Sequence, residues 1–214
     1  MAYTRGSSAN IIVGAAALFT FEDGELTDAD LPTSIVDGTS VKDTLEDDLT
    51  FRNVGYTMNG LEIVFQPDFG EVQVDQFLDV AKIYKQGMTV NLNTAFAEAT
   101  LENLLFALAA SDGDYAASGT VNEFEGHPTL DLSSGQLGEC PVERGLVAVG
   151  PGTGDCAESD AIERVYLAYR ALSIDSVTVS AKRDEATMYE VSFRLLPNDN
   201  GSYGKIIDRT IAGS

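Results

Sequence analysis

The sequence predicts a mainly β protein, a two-sheet β-sandwich or barrel with one flanking α-helix. Three observations lead there. About ten short stretches are rich in Val, Ile, Phe and Tyr, several alternate apolar with polar residues, and Gly, Pro, Asn and Asp bound them. One stretch alone carries a leucine stripe at helical spacing. No element repeats at a fixed period, which excludes a solenoid. Many short strands around a single helix favour antiparallel pairing in a sandwich.

Taken in order, residues 10–21 read as a strand that ends at Glu22-Asp23-Gly24. Residues 22–50 hold ten acids against the single base Lys42, with Pro32, Gly24 and Gly38 and no sustained periodicity. They read as a long acidic loop or arm, of a length that in compact domains usually serves function. Leu49 to Thr57 reads as a strand, and Asn59-Gly60 as a hairpin signal. Leu61 to Gln66 alternates, Pro67-Asp68-Phe69-Gly70 turns, and Glu71 to Gln76 alternates again. Val80 to Gln86 reads as a short strand before Gly87, and Met88 to Phe96 as the next. In that strand Met88, Val90, Leu92 and Phe96 share one face, and Thr89, Asn91 and Asn93 the other. Thr100 caps the helix, Leu101, Leu104, Leu105 and Leu108 form its core stripe, and Asp112-Gly113-Asp114 ends it. Residues 111–160 are a loop-rich insertion with a short strand near Leu146 to Val149. Four strands close the chain, over 164–172, 174–181, 188–196 and 204–208, with a turn at Pro197 to Gly201. The whole is one domain.

Composition narrows the function. There are 34 acidic residues against 13 Lys and Arg, for a net charge of −21. The 44% apolar content supports a packed core, unlike a disordered acidic tail. Nucleic acid and anionic membranes are held through Lys and Arg, which are scarce here. Residues 1–143 carry 24 acids and 5 bases, and no base lies between Lys85 and Arg144. The apolar run Ile11 to Phe21 is too short to span a bilayer, so the chain reads as soluble and made in the cytoplasm.

Catalytic and metal chemistry find no pattern. His127 is the only histidine, no G-x-S-x-G elbow occurs, and Gly150 to Gly154 lacks the Lys-Ser/Thr of a phosphate loop. Cys140 and Cys156 have no CxxC spacing and no second His, so no zinc set exists. Free thiols are their default in a reducing compartment, with a pair across the loop left open. The acids between Asp23 and Asp30 do not follow the spacing of an EF-hand. No catalytic, cofactor or metal residues are assigned, which favours a structural or assembly role.

Residues 51–108 are more specific. Val54-Gly55-Tyr56-Thr57 is followed by Gly60-Leu61-Glu62, then Val72-Gln73-Val74-Asp75-Gln76, then Ala97-Glu98-Ala99-Thr100-Leu101-Glu102-Asn103-Leu104. In this order and spacing the set resembles the tail tube proteins (major tail proteins) of long-tailed bacteriophages. The resemblance implies a tail-tube-like sandwich that forms hexameric rings. Stacked rings make a tube through which double-stranded DNA passes without specific binding, and a long loop and the termini reach between rings. It implies a virion protein, assembled in the host cytoplasm, whose partners are itself and the tape-measure, tail-terminator and baseplate or tip proteins. An acidic or polar lumen suits such passage, since it removes the counterion-release attraction for phosphate. Glu71, Gln73, Asp75, Asn91 and Asn93 are the lumen candidates on that expectation. Asp28, Asp30, Asp43, Glu46, Asp47 and Asp48 are the contact candidates between subunits or rings. Their expected counter-charges are Arg164, Arg170 and Arg183, with Lys182 and Arg194, on a neighbour. The alternatives are another tail or head assembly protein, such as a terminator or decoration protein, and an acidic Ca²⁺-stabilised binding module.

Overall fold

The computed structural model describes residues 12, 14–22, 24–30, 39–73, 75, 79–117, 127–133, 137–138, 140–153, 162–180, 183–184 and 186–211. The elements run β1 (Ala17–Phe21), α1 (Val41–Asp47), β2 (Phe51–Asn53), β3 (Thr57–Gln73), β4 (Val80–Phe96), α2 (Leu101–Ala107), β5 (Tyr115–Ala116), β6 (Thr129–Leu130), β7 (Arg144–Pro151), β8 (Ile162–Ser173), β9 (Tyr189–Leu196) and β10 (Gly204–Thr210). The protein is mainly β, and every pairing is antiparallel. The main sheet runs β2-β1-β7-β8-β9-β4-β3, with β10 also on β8, and β5-β6 form a separate small pair.

One edge of β8 serves two partners. Residues Ile162 to Ala168 pair with β10, and Arg170 to Ser173 pair with β9. The sheet therefore divides into one layer of β2, β1, β7, β8 and β10 and a second of β9, β4 and β3. Between them lies a core of Leu18, Leu146, Ala148 and Ala168 against Val90, Leu92, Phe96, Val191 and Phe193. Helix α2 closes this core with Phe106, whose ring centroid lies 4.8 Å from that of Phe193. Asn103 of α2 is buried, and its amide donates to the Val54 and Glu98 carbonyls. Gly204 lets β10 approach β8, because a Cβ there would meet the Leu167 carbonyl oxygen.

The first layer is buried on its other face too. Alternation sends Phe19, Phe21, Phe51, Val147, Val149, Val165 and Leu167 outward, where Leu26, Val41 and Leu45 cover them. Two-sided burial explains why β7 reads as an unbroken apolar run rather than an alternating one. The cover comes from the acidic segment. Ser40 caps α1, accepting from the Asp43 amide. Its hydroxyl and the Val41 amide donate to the Glu163 carboxylate at 2.9 and 3.1 Å. Arg209 lies 3.8 Å from the same carboxylate, and both of those side chains are nearly buried.

Several expectations are corrected. Residues 41–47, read as loop, form α1, because Val41 and Leu45 at helical spacing both reach the apolar face. The flanking helices are thus two among the described residues. Asn59-Gly60 is a bulge inside β3, not a hairpin turn. Both residues have positive φ, and pairing jumps from Met58↔Ala95 to Glu62↔Asn93. The expected turn at Pro67 to Gly70 also lies inside β3, and the two strands expected over 80–96 are the single β4. Of the strand expected over 10–21 only Ala17–Phe21 forms among the described residues, residues 10, 11 and 13 lying outside them. Of the strand expected over 49–57, Phe51–Asn53 and Thr57, the first residue of β3, lie in strands. Helix α2 stops at Ala107. Ile174 to Ser180, expected as a strand, has no ladder.

Leu45→Ala is expected to destabilise the protein by about 2–4 kcal/mol, as a buried truncation that leaves a cavity. Urea unfolding measures it, and the exposed Leu49→Ala serves as the control, expected to shift stability by less than about 0.5 kcal/mol.

Candidate assembly surfaces

Strands β3 and β4 make a hairpin with seventeen residues in each arm. Only the half near the body is supported, since β9 pairs with β4 over Val90 to Phe96 alone. Beyond that point the arms have only each other. Register places Phe65, Pro67 and Phe69 on one face with Val90, Met88 and Lys85, and Ile83 joins them opposite Glu71. Phe65, Phe69 and Ile83 are each more than half exposed. Val72 and Tyr84, on the reverse face, are exposed as well. A two-stranded ribbon is barely stable alone in water, and large exposed apolar groups in a row mark a contact surface. At the root of the ribbon, between the layers, lies a slot of about 640 Å³ lined by Ile63, Phe65, Met88, Tyr166, Tyr203 and Ile206. The Tyr203 hydroxyl donates to the Met88 carbonyl at 2.7 Å and ties β4 to the turn before β10.

The lumen candidates divide. Asn91 and Asn93 pair with Val64 and Glu62, on the outer face of the second layer. There the Ser192 hydroxyl donates to Asn93 Oδ1 at 2.8 Å, and the Asn93 amide reaches Glu62 at 3.4 Å. Glu190 and Arg194 share this face through their pairing with Ala95 and Asn91. Glu71 and Gln73 have the opposite parity on β3, with Phe65 and Phe69, and Asp75 lies in the connection beyond the strand. The five residues expected on one face are therefore not on one face. Sequence alternation was read within each strand separately, whereas register sets which faces match, and it places Asn91 opposite Val64, an odd number of residues from Glu71 along β3.

The contact candidates also separate. Asp28 Oδ1 accepts from the Tyr169 hydroxyl at 2.8 Å and Oδ2 from Lys205 at 2.6 Å. Lys205 first, then Tyr169, holds the Asp28 carboxyl below its ordinary value. Burial, then Asp28, pushes the Tyr169 hydroxyl up. Asp30 accepts from the Thr27 amide and hydroxyl. Asp48 accepts from the Thr50 amide and hydroxyl. Asp43, Glu46 and Asp47 lie exposed on α1, with Glu46 3.7 Å from Lys42. Two of the expected counter-charges are engaged within the chain. Arg164 forks onto Asp208 at 2.5 and 2.6 Å, which lowers the Asp208 carboxyl and raises the guanidinium. Arg170 holds Glu143 at 2.6 Å and the Pro197 carbonyl at 3.0 Å. Arg183 and Arg194 have no carboxylate partner among the described residues, and Lys182 and Cys156 lie outside them.

Compared with known protein families and with curated proteins, the chain matches none. Among the described residues no group of three or more His, Cys, Asp or Glu is placed to hold a metal ion. The carboxylates of Asp28 and Asp30, considered for Ca²⁺, already accept hydrogen bonds from protein groups. No helix among the described residues is long and apolar enough to cross a membrane.

Sequence reasoning missed a part-buried network at the end of the body away from the ribbon, where Asn103 meets the Val54 and Glu98 carbonyls. Glu22 accepts from Thr20 and Arg52, and its second oxygen lies 3.5 Å from Arg144. Arg144 also bonds Asp112, and Arg52 donates to Asn103 at 2.8 Å. It joins the end of β1, β2, α2 and the start of β7. No local pattern marks it, since each member comes from a different element.

A pH dependence follows from the two lowered carboxyls. Their folded pKa values lie below the ordinary 3.8, so their stabilisation is full above 3.8 and is lost as pH falls through the folded values. Wild-type melting temperature is expected to fall modestly as pH drops below about 4, since both pairs are open to water. Asp28→Asn with Asp208→Asn is expected to melt lower at neutral pH and to show a shallower acid drop, measured by calorimetry across pH 2–7.

Proposed function

We propose that the chain is a structural subunit that assembles with copies of itself into rings and tubes, as the phage tail tube proteins it resembles do. The observation that carries this reading is the ribbon of β3 and β4, which leaves the body with its apolar side chains uncovered and its outer edge unpaired. A second copy supplies both cover and pairing. The reading adds that the open outer face of the second layer lines the conduit. That face is unlike the outer face of the first layer, which α1 closes with an apolar contact. Its Asn91, Asn93, Ser192 and Glu62 offer DNA amides, a hydroxyl and a carboxylate, with Arg194 as the base nearest to them. Uncharged and acidic groups leave phosphate counterions in place, so the duplex slides without being held. Asp43, Glu46 and Asp47 on α1 then face outward or toward a neighbouring ring, screened beyond about 8 Å at physiological salt.

Electron microscopy of the purified protein tests the reading. Rings and stacked tubes are expected, and a chain that stays monomeric at all concentrations, with no tube in particles that contain it, would refute it. Asn91→Lys with Asn93→Lys is expected to leave tubes intact and slow DNA passage at least several-fold, with relief as salt rises. Glu71→Lys, on the opposite face, is expected to leave passage unchanged. DNA-release kinetics from assembled particles measure both.

A further inference from the structure

We infer that Ile174–Ser180 is a strand that forms only on assembly, by adding to the free edge of β3 at Leu61 to Gln66 in a second copy of the chain. This rests on the assembly reading above and names the surface that performs it.

The segment reads Ile-Asp-Ser-Val-Thr-Val-Ser, with β-branched residues at four of seven positions and one charge. It leaves the ladder almost at once. Ile174 donates its amide to the Ser192 carbonyl, directly after the β8–β9 pairing ends at Ser173↔Phe193. From Asp175 onward no strand hydrogen bonding continues. Val177 packs against the core, while Ile174 and Val179 are about half exposed. Strong strand chemistry without a ladder is a conflict between local preference and local structure, of the kind that a missing partner resolves.

The partner edge is selected by comparing the free edges. β2 has three residues, the open stretch of β9 beyond its pairing with β8 has only four (Tyr189–Ser192), and β10 carries Lys205, Asp208 and Arg209. Edges of that kind resist pairing, since short length and charge blunt them. β3 is blunted only at its bulge of Asn59-Gly60 and at Pro67. Between those two lie six residues, Leu61-Glu62-Ile63-Val64-Phe65-Gln66, with one charge and no proline. Their length matches that of 175–180, the six residues that have left the ladder. The two strips also lie on opposite sides of the layer of β9, β4 and β3, so their pairing is head-to-tail and continues from copy to copy. An isologous dimer does not arise from such a contact. While 174–180 stays out of the ladder, a single copy shows one unprotected edge rather than two matching ones, which limits disordered stacking before assembly.

Hydrogen exchange on the wild-type chain, before and after assembly, tests this. Amides of 175–180 and of 61–66 are expected to gain at least tenfold protection together. Gain at 175–180 without gain at 61–66 overturns β3 as the partner. Assembly with no gain at 175–180 overturns the inference and leaves the tube reading standing, whereas a chain that never assembles overturns both. Thr178→Pro and Val179→Pro provide the second measurement. Alternate amides of a strand point to opposite sides, so one of the two prolines removes a ladder donor. That variant is expected to keep the monomer's melting temperature and to need at least tenfold more protein for assembly. Two variants that assemble like the wild type overturn the inference.

Discussion

Strand β8 is the constraint on which the structure depends. It carries β7 along one edge and, along the other, first β10 and then β9. That exchange of partners divides one sheet into two layers and creates the space that Phe96, Phe106 and Phe193 fill. Its outer face must also be covered, because Val165 and Leu167 point away from that space with Val147, Val149 and Phe19. Burial of apolar area contributes about 25 cal/mol per Å², so an open face of this size would cost the fold heavily. The acidic segment provides the cover, through Leu26, Val41 and Leu45. Glu163, itself on β8, receives the Ser40 hydroxyl and the Val41 amide and so locates α1 over the strand that needs it.

The charge is distributed by the same logic. Among the described residues seven basic side chains, Lys42, Arg52, Arg144, Arg164, Arg170, Lys205 and Arg209, lie against acids of the same chain. Each contact is modest where it is exposed to water. The result is that the bases are withdrawn into pairs, while α1 presents Asp43, Glu46 and Asp47 to solvent. A surface of that sign keeps single copies apart and offers polyanions little to hold.

Much of this was legible in the residues, and the misses have physical causes. The alternation of Met88, Val90 and Leu92 and the run in β7 report burial that local periodicity encodes, whereas α2 turns Asn103, Leu105, Phe106 and Ala107 inward and leaves Leu101 and Leu108 of the expected leucine stripe exposed. Asn59-Gly60 misled because its positive φ suits a hairpin turn and a bulge equally, and only the partner strand decides between them. Helix α1 was hidden because two apolar residues in seven are too few to show a period, though they suffice when one tertiary face receives them. The split of Glu71 and Gln73 from Asn91 and Asn93 depends on cross-strand register, which no single strand contains. Glu163 and Arg209, a buried pair joined across β8 and β10, left no signal at all in the chain order.

The unsupported half of the hairpin has a mechanical consequence. A body of two packed layers resists bending because its strands are held at two depths. The ribbon beyond Val90 has a single depth, and its pairing is interrupted where Asp68↔Gly87 gives way to Phe69↔Lys85. It is a cantilever with a compliant joint, softer than the block to which it is fixed. In the proposed assembly, load passed from one copy to another through such an element would be taken up by flexing of the ribbon, and the packed core would keep its shape. A chain of rigid blocks joined by these springs curves as a whole while each block stays straight.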